Sequence, residues 1–193
     1  MYLPQIDDER TTLCNYLDVQ LDALRAAAHG LSDEQARSTP LRSALSISGL
    51  LKHACFCMGG SLVGAGLKES EPVDSDFYGS FTPSPDETLD ALLATFDRLR
   101  ADYMAMCRDG DLEAELPVGP FPWYGMDEAR PAKLRYLYVG HIEEFARHAG
   151  HADIIREQID GAKAPELVAA IEGREPNQFV TPWTPSPDRT TGH

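Results

Sequence analysis

The sequence predicts an all-α protein, a four-helix bundle with a long loop before the fourth helix and a short C-terminal extension. Four segments repeat apolar residues at 3.6-residue spacing, the pattern of helices that bury one face. The segments between them are polar or rich in proline and glycine. With 193 residues, of which 42% are hydrophobic, the chain can form one well-packed core. We therefore expect one bundle domain over residues 1–173 and a Pro-rich tail over 174–193.

The first half of the chain contains two of these helices. The first is predicted from Asp8 to Ala28, and the segment Ser32–Gln35 after it has the spacing of a capping box, which predicts a short capped turn. The second helix is predicted from Ser43 to Leu67, with Ser43 or Ser46 as its N-cap.

The third helix is predicted to follow a loop over residues 69–83. Ser84, Pro85 and Glu87 are the cap, first-turn proline and capping-box residue that typically open a helix, and its apolar face continues to Asp109. Residues 111–131 contain too many prolines and glycines for a continuous helix. Because they carry Trp123 between two other aromatic residues, we interpret them either as a lid or binding loop or as a cover for the end of the bundle.

The fourth helix is predicted from Leu134 to Gly161, and a shorter helix from Pro165 to Ile171 follows it. In the tail after Gly173, Phe179 and Trp183 are expected to dock on the domain or on a partner subunit, and the tail is otherwise mobile. The sequence thus allows a homodimer.

Composition excludes several classes of partner. The formal charge of −14 and the pI near 4.7 argue against nucleic acid and anionic membranes, which bind basic surfaces. The start of the chain lacks the pattern of a signal peptide, and no apolar run is long enough to span a bilayer. We therefore expect a cytoplasmic protein in which Cys14, Cys55, Cys57 and Cys107 are reduced thiols, with Cys55 and Cys57 serving as small packing residues.

The fourth helix carries polar residues where the apolar stripe should be. His141, Glu144, His148 and His151 all fall inside that stripe. A buried carboxylate requires an ion partner, hydrogen bonds or a metal. Glu144 and His148, at i and i+4, can direct their side chains to one ion, whereas His141 is two turns from His148 and poorly placed to share it. An open metal site needs three protein ligands, so a third must come from another helix.

His53 of the second helix is the candidate for that third ligand. Its face also carries Gly60 and Gly64, whose small size predicts close helix packing or a substrate cavity beside the imidazole. We expect such a cavity to lie under the loop that carries Trp123. In helical bundles, metal sites are built from side chains on facing helices.

Two blocks resemble a known family. They read LSDEQARSTPLRSALSISGLLKH, ending at His53, and HIEEFARHAGHADIIREQIDG, from His141 to Gly161. Over residues 17–161 the chain resembles the DinB-like (DinB/YfiT-like) four-helix-bundle superfamily, and within it the mycothiol-dependent branch that includes maleylpyruvate isomerases. By that resemblance, His53, Glu144 and His148 bind a divalent metal, usually zinc or nickel. His151 would lie at the rim, outside the ligand sphere or as a substitute ligand.

The resemblance also implies an activity. It points to a metal-dependent S-transferase that uses a low-molecular-weight thiol such as mycothiol on a small electrophile. Where many relatives carry an acidic and aromatic run after the first metal histidine, this chain reads ACFCMGG, and the isomerase reaction itself is not carried over. A non-catalytic metal- or ligand-binding bundle and a metal-dependent hydrolase are the alternative interpretations.

Overall fold

The protein is a helical bundle in its computed structural model, which describes residues 2–68 and 76–185. The helices are α1 (Glu9–Ala27), α2 (Asp33–Arg37), α3 (Ile47–Gly64), α4 (Leu89–Asp109), α5 (Leu134–Asp160) and α6 (Ala164–Ile171). The four long helices α1, α3, α4 and α5 close a ring, in which α5 contacts α1 and α3, and α4 contacts the same two helices. The predicted all-α bundle is confirmed.

Each long helix contributes large apolar side chains to one core. Leu17, Leu51, Phe96 and Phe145, one from each long helix, are all fully buried. Burial of such side chains supplies roughly 1.5–3 kcal/mol each. The core therefore holds the four helices at fixed positions, and polar side chains that point inward are fixed with them.

Side-chain caps set most of the helix starts. Asp8 accepts the N–H of Thr11 at the start of α1, and Ser46 accepts the N–H of Gly49 at the start of α3. Of the two serines proposed for α3, Ser46 is thus the cap, and the helix is shorter at both ends than predicted. The predicted capping box of Ser32 and Gln35 is present at α2.

The start of the third long helix was predicted wrongly. Helix α4 begins at Leu89 with Thr88 as its cap, and not at Ser84. The Glu87 carboxylate does accept the Ser84 N–H, but it also pairs with the ammonium group of Lys52 from α3, 2.7 Å away. The capping-box motif therefore closes a turn before the helix, because Lys52 competes for the Glu87 carboxylate.

The segment predicted as one long loop contains a small β-hairpin. Strand β1 (Glu115–Val118) pairs antiparallel with β2 (Arg130–Lys133), with Pro117 opposite Pro131. In a sheet of only two strands a proline can sit where no ladder N–H is needed. Trp123 lies between the strands in a short 3₁₀ turn, Pro122–Tyr124.

The expectation of four reduced thiols was wrong for two of the cysteines. Cys14 of α1 and Cys107 of α4 form a disulfide, with their Cα atoms 5.9 Å apart. That Cα separation is ordinary for a disulfide between neighbouring helices. Cys55 is buried and Cys57 is partly buried within α3, in agreement with their predicted packing role.

The C-terminal segment folds back onto the bundle. The Trp183 N–H donates to the Glu166 carbonyl, and its ring covers the guanidinium group of Arg156 at 5.0 Å. Of the two predicted aromatic contacts, Trp183 thus docks on its own domain, whereas Phe179 is 84% exposed. Part of the predicted 69–83 loop (69–75) and the last eight residues lie outside the described residues. Among the helices that are described, none is both long and apolar enough to cross a membrane.

Candidate metal centre

Helix α3 carries the first residue of the candidate site. His53 lies in the middle of this helix and is only 1% exposed. Phe81 stacks on its imidazole with a centroid distance of 3.9 Å, and Phe77 meets it edge-on at 5.5 Å. The ring is therefore held in one orientation, as a metal ligand has to be.

Helix α5 carries the other two residues. Glu144 and His148, one turn apart, meet at 3.0 Å between Oε1 and Nε2. The same Glu144 oxygen lies 3.1 Å from His53 Nε2. Glu144 was expected to be buried in the helix stripe, but its side chain is 36% exposed.

The charges of the site follow from these contacts. The hydrogen bond from His148 holds the pKa of Glu144 far below its usual range, so the carboxylate stays ionised. Burial lowers the pKa of His53, against the opposing effect of Glu144. Near neutral pH the site thus contains an anionic Glu144 and a neutral His53.

Ser80 determines which nitrogen of His53 carries the hydrogen. The Ser80 hydroxyl donates to the Phe77 carbonyl at 2.6 Å, and its oxygen lies 2.8 Å from His53 Nδ1. A serine has a single hydroxyl hydrogen, so its oxygen must accept the N–H of Nδ1. In neutral His53 the Nε2 lone pair therefore faces the Glu144 carboxylate at hydrogen-bond distance.

This arrangement fits a cation. Two acceptor atoms repel each other unless a proton or a metal ion lies between them. One atom each of His53, Glu144 and His148 lies within 4.8 Å of the other two. Two imidazoles and one carboxylate are the donor set of zinc sites that keep a fourth position open. The residues present therefore suit a divalent metal ion.

His151 contacts His148 from outside this cluster. Its Nδ1 lies 3.4 Å from His148 Nδ1, whereas His148 Nε2 points to Glu144. The prediction that His151 lies at the rim of a metal site stays a prediction. Outer partners of metal-binding histidines commonly orient the ring in this way.

A substrate pocket was also predicted beside Gly60 and Gly64, under the loop that carries Trp123. Trp123 packs on Phe77 at 4.4 Å and so reaches the site through the aromatic group around His53. Of the atoms in the described part of the chain, a Cβ at Gly60 would meet none within 4 Å, and one at Gly64 would meet only the Pro117 carbonyl. Trp123 is thus not among the described neighbours of a Cβ at either glycine.

Two nearby groups were not identified as site residues from the sequence. Cys57 Sγ lies 3.5 Å from His53 Nε2, and burial raises the pKa of this thiol far above its usual value, so it stays protonated. Ser80 belongs to a segment recognised only as a loop. For Cys57, the i+4 spacing from His53 was an available signal. For Ser80 there was none, because a loop contact does not follow from periodicity.

Comparisons with known proteins concern the fold and the family of the chain. A conserved protein from Enterococcus faecalis, known from its crystal structure, is 13% identical and superimposes with a TM-score of 0.58 over 81% of this chain and 99% of its own. At that identity it shows a shared fold alone. The curated proteins gave no match. The family model described as mycothiol-S-transferase matches residues 12–161, which include all three site residues, and the chain therefore belongs to the mycothiol-S-transferase family.

Proposed function

We propose that this member of the family is a metal-dependent S-transferase that joins a small thiol, mycothiol or a close analogue, to a small electrophile. The observation that carries the proposal is the pair of contacts made by His53, with Ser80 at Nδ1 and with Glu144 at Nε2. Ser80 turns a lone pair of His53 toward an ionised carboxylate, and a metal ion is the partner that this donor set suits.

In this proposal His53, Glu144 and His148 hold a divalent ion such as zinc or nickel. A thiol coordinated to such an ion loses its proton at neutral pH and becomes a nucleophile. The side chains supply the remaining requirements. Ser80 and His151 orient the two imidazoles, and the carboxylate reduces the net charge of the centre.

The nucleophile must then come from outside the protein. The nearest cysteine, Cys57, is held as a neutral thiol by burial, so it is a weak nucleophile. In the transfer, the sulfur of the bound thiol forms a bond to carbon of the electrophile. The leaving group departs with its bonding electrons, and the thiol proton passes to solvent.

The aromatic group beside His53 suits an apolar electrophile. Phe77 contacts both His53 and Trp123, and Trp123 is 46% exposed. These rings present an apolar surface between the candidate centre and solvent. Such a surface excludes water from the reacting thiol and binds a planar carbon electrophile.

Metal content tests the first half of the proposal. Protein purified without a histidine tag is expected to bind about one zinc or nickel ion per chain, and Glu144→Gln is expected to lose most of it. The matched control is Glu143→Gln, because Glu143 is 70% exposed and pairs only with Arg147 among the described residues. Equal metal content in the two variants would contradict the proposed ligand set.

Conjugation of mycothiol to chlorodinitrobenzene tests the second half. The thioether product should form with the metal-loaded wild type and with Glu143→Gln, and formation should fall at least tenfold in Glu144→Gln. Metal binding without thiol-dependent turnover would leave a non-catalytic binding module. Turnover of an ester or amide substrate without added thiol would instead favour a metal-dependent hydrolase.

A further inference from the structure

A second polar pair lies between α4 and α5. Tyr103 of α4 is completely buried, and its hydroxyl lies 2.8 Å from Nδ1 of His141 on α5. Among the described residues this is the only hydrogen bond of the Tyr103 hydroxyl. A buried hydroxyl that does not donate its hydrogen costs folding free energy. With a single partner, the Tyr103 hydroxyl must therefore donate to that partner.

This single contact assigns the tautomer of His141. Because the phenol must donate its hydrogen, Nδ1 of His141 is the acceptor. Burial lowers the pKa of His141 to about 4, so the ring is neutral near pH 7. A neutral ring that accepts at Nδ1 carries its hydrogen on Nε2. That Nε2–H has no partner among the described residues and is not sealed from solvent.

His141 lies beside the candidate metal centre. It precedes Glu144 by three residues on α5, about 4.5 Å along the same helix face. Besides burial, Glu144 and His53 act on the pKa of His141, so both lie near its ring. Besides burial, Cys57 is among the groups that raise the pKa of Tyr103, and Cys57 also contacts His53. His141 is thus a neighbour of the site whose tautomer is fixed by Tyr103 and whose Nε2–H is available to a ligand.

We propose that His141 binds substrate through its Nε2–H, which donates to an acceptor oxygen of the molecule held at His53, Glu144 and His148. Tyr103 is the positioning residue that fixes the tautomer. This inference rests on the proposed function, because it assigns a binding contact within the same site. The oxygen belongs either to the thiol cosubstrate or to the electrophile, and kinetics distinguish the two.

The first test determines which nitrogen of His141 carries the hydrogen. In zinc-loaded wild-type protein, long-range proton–nitrogen NMR correlations should show His141 with its hydrogen on Nε2. In Tyr103→Phe, this preference should be lost. The matched control is Tyr138→Phe, which removes another buried hydroxyl, one that donates to the Met106 carbonyl. A hydrogen on Nδ1 of wild-type His141 would overturn the inference.

The second test concerns substrate. In His141→Leu, the KM for one substrate, mycothiol or chlorodinitrobenzene, should rise about tenfold, as expected for loss of one hydrogen bond. In His141→Gln, which keeps an N–H donor, most of that loss should be restored. Tyr103→Phe should show a smaller rise in the same KM, while Tyr138→Phe should match wild type. The substrate whose KM rises is the one that carries the oxygen.

The outcomes separate this inference from the proposed function. If wild type turns over and binds metal, and both KM values are unchanged in His141→Leu and Tyr103→Phe, the inference is overturned and the proposed function stands. If wild type shows no turnover, the His141 Nε2–H resonance of the zinc-loaded protein should still shift when mycothiol or chlorodinitrobenzene is added. The absence of a shift with either compound would overturn the inference as well.

Discussion

At the scale of single residues, Ser80 controls the electronic state of the candidate centre. Its hydroxyl is fully buried and is used twice, as donor to the Phe77 carbonyl and as acceptor from His53. Without it, His53 could carry its hydrogen on Nε2 and donate directly to Glu144. The imidazole would then lose the lone pair with which it binds a metal.

We therefore predict that Ser80→Ala lowers metal affinity about 10–100-fold, the usual effect of removing an outer partner of a metal-binding histidine. Competition with a chromogenic chelator measures this affinity. Ser84→Ala is the control, since Ser84 is exposed and, among the described residues, bonds only within its own turn and to Arg37. Unchanged affinity in Ser80→Ala would mean that Ser80 does not orient His53.

The sequence located the three side chains of the centre but not the group that orients them. Glu144 and His148 were found because helical spacing places i and i+4 together. His53 was found because a third ligand had to come from another helix, and it lies there on a face of small residues. Ser80 reaches His53 across 27 residues of chain. Such a contact depends on how a loop packs, which periodicity does not encode.

At the scale of elements, the close approach of a short turn to α3 builds the wall of the site. The 3₁₀ turn Gly79–Phe81 carries both Ser80 and Phe81 and packs against α3. It lies so near that a Cβ at Gly49 would stand 2.3 Å from the Phe81 carbonyl oxygen. Only glycine leaves room there, so Gly49 positions the turn that orients His53.

Gly49→Ala is accordingly expected to destabilise the protein by about 1–3 kcal/mol, the usual cost of overpacking, and to weaken metal binding because Ser80 is displaced. Urea unfolding and chelator competition measure the two effects. Gly60→Ala in the same helix is the control, since its Cβ would meet no described atom within 4 Å and alanine favours the helix by about 1 kcal/mol. Equal effects of the two substitutions would contradict the proposed role of Gly49.

Helices were easier to predict than their ends. Apolar periodicity and local caps gave α1 and α5 to within a residue or two, because Asp8 and Gly161 act within their own turns. The start of α4 was missed because Lys52, from another helix, takes part of the Glu87 carboxylate. The hairpin was missed because prolines in a long segment usually indicate a loop.

At the scale of the whole molecule, one covalent link joins two of the four long helices. The Cys14–Cys107 disulfide ties α1 to α4 across 93 residues of sequence. The enclosed chain contains α3 and the turn that orients His53, so the link limits the freedom of the part of the unfolded chain that builds the centre. Cys14 is 6% exposed and Cys107 is not exposed at all, so a reductant reaches the bond only when the helices separate.

We predict that removal of this disulfide lowers the free energy of unfolding by about 2–4 kcal/mol, through the greater entropy of an unlinked unfolded chain. Equilibrium urea unfolding with and without dithiothreitol measures this loss in the wild type. The double variant Cys14→Ala/Cys107→Ala should be less stable and insensitive to the reductant, whereas Cys57→Ala should keep the wild-type response. Alkylation of the denatured, unreduced protein should modify two cysteines. Modification of all four would show that the bond does not form in solution.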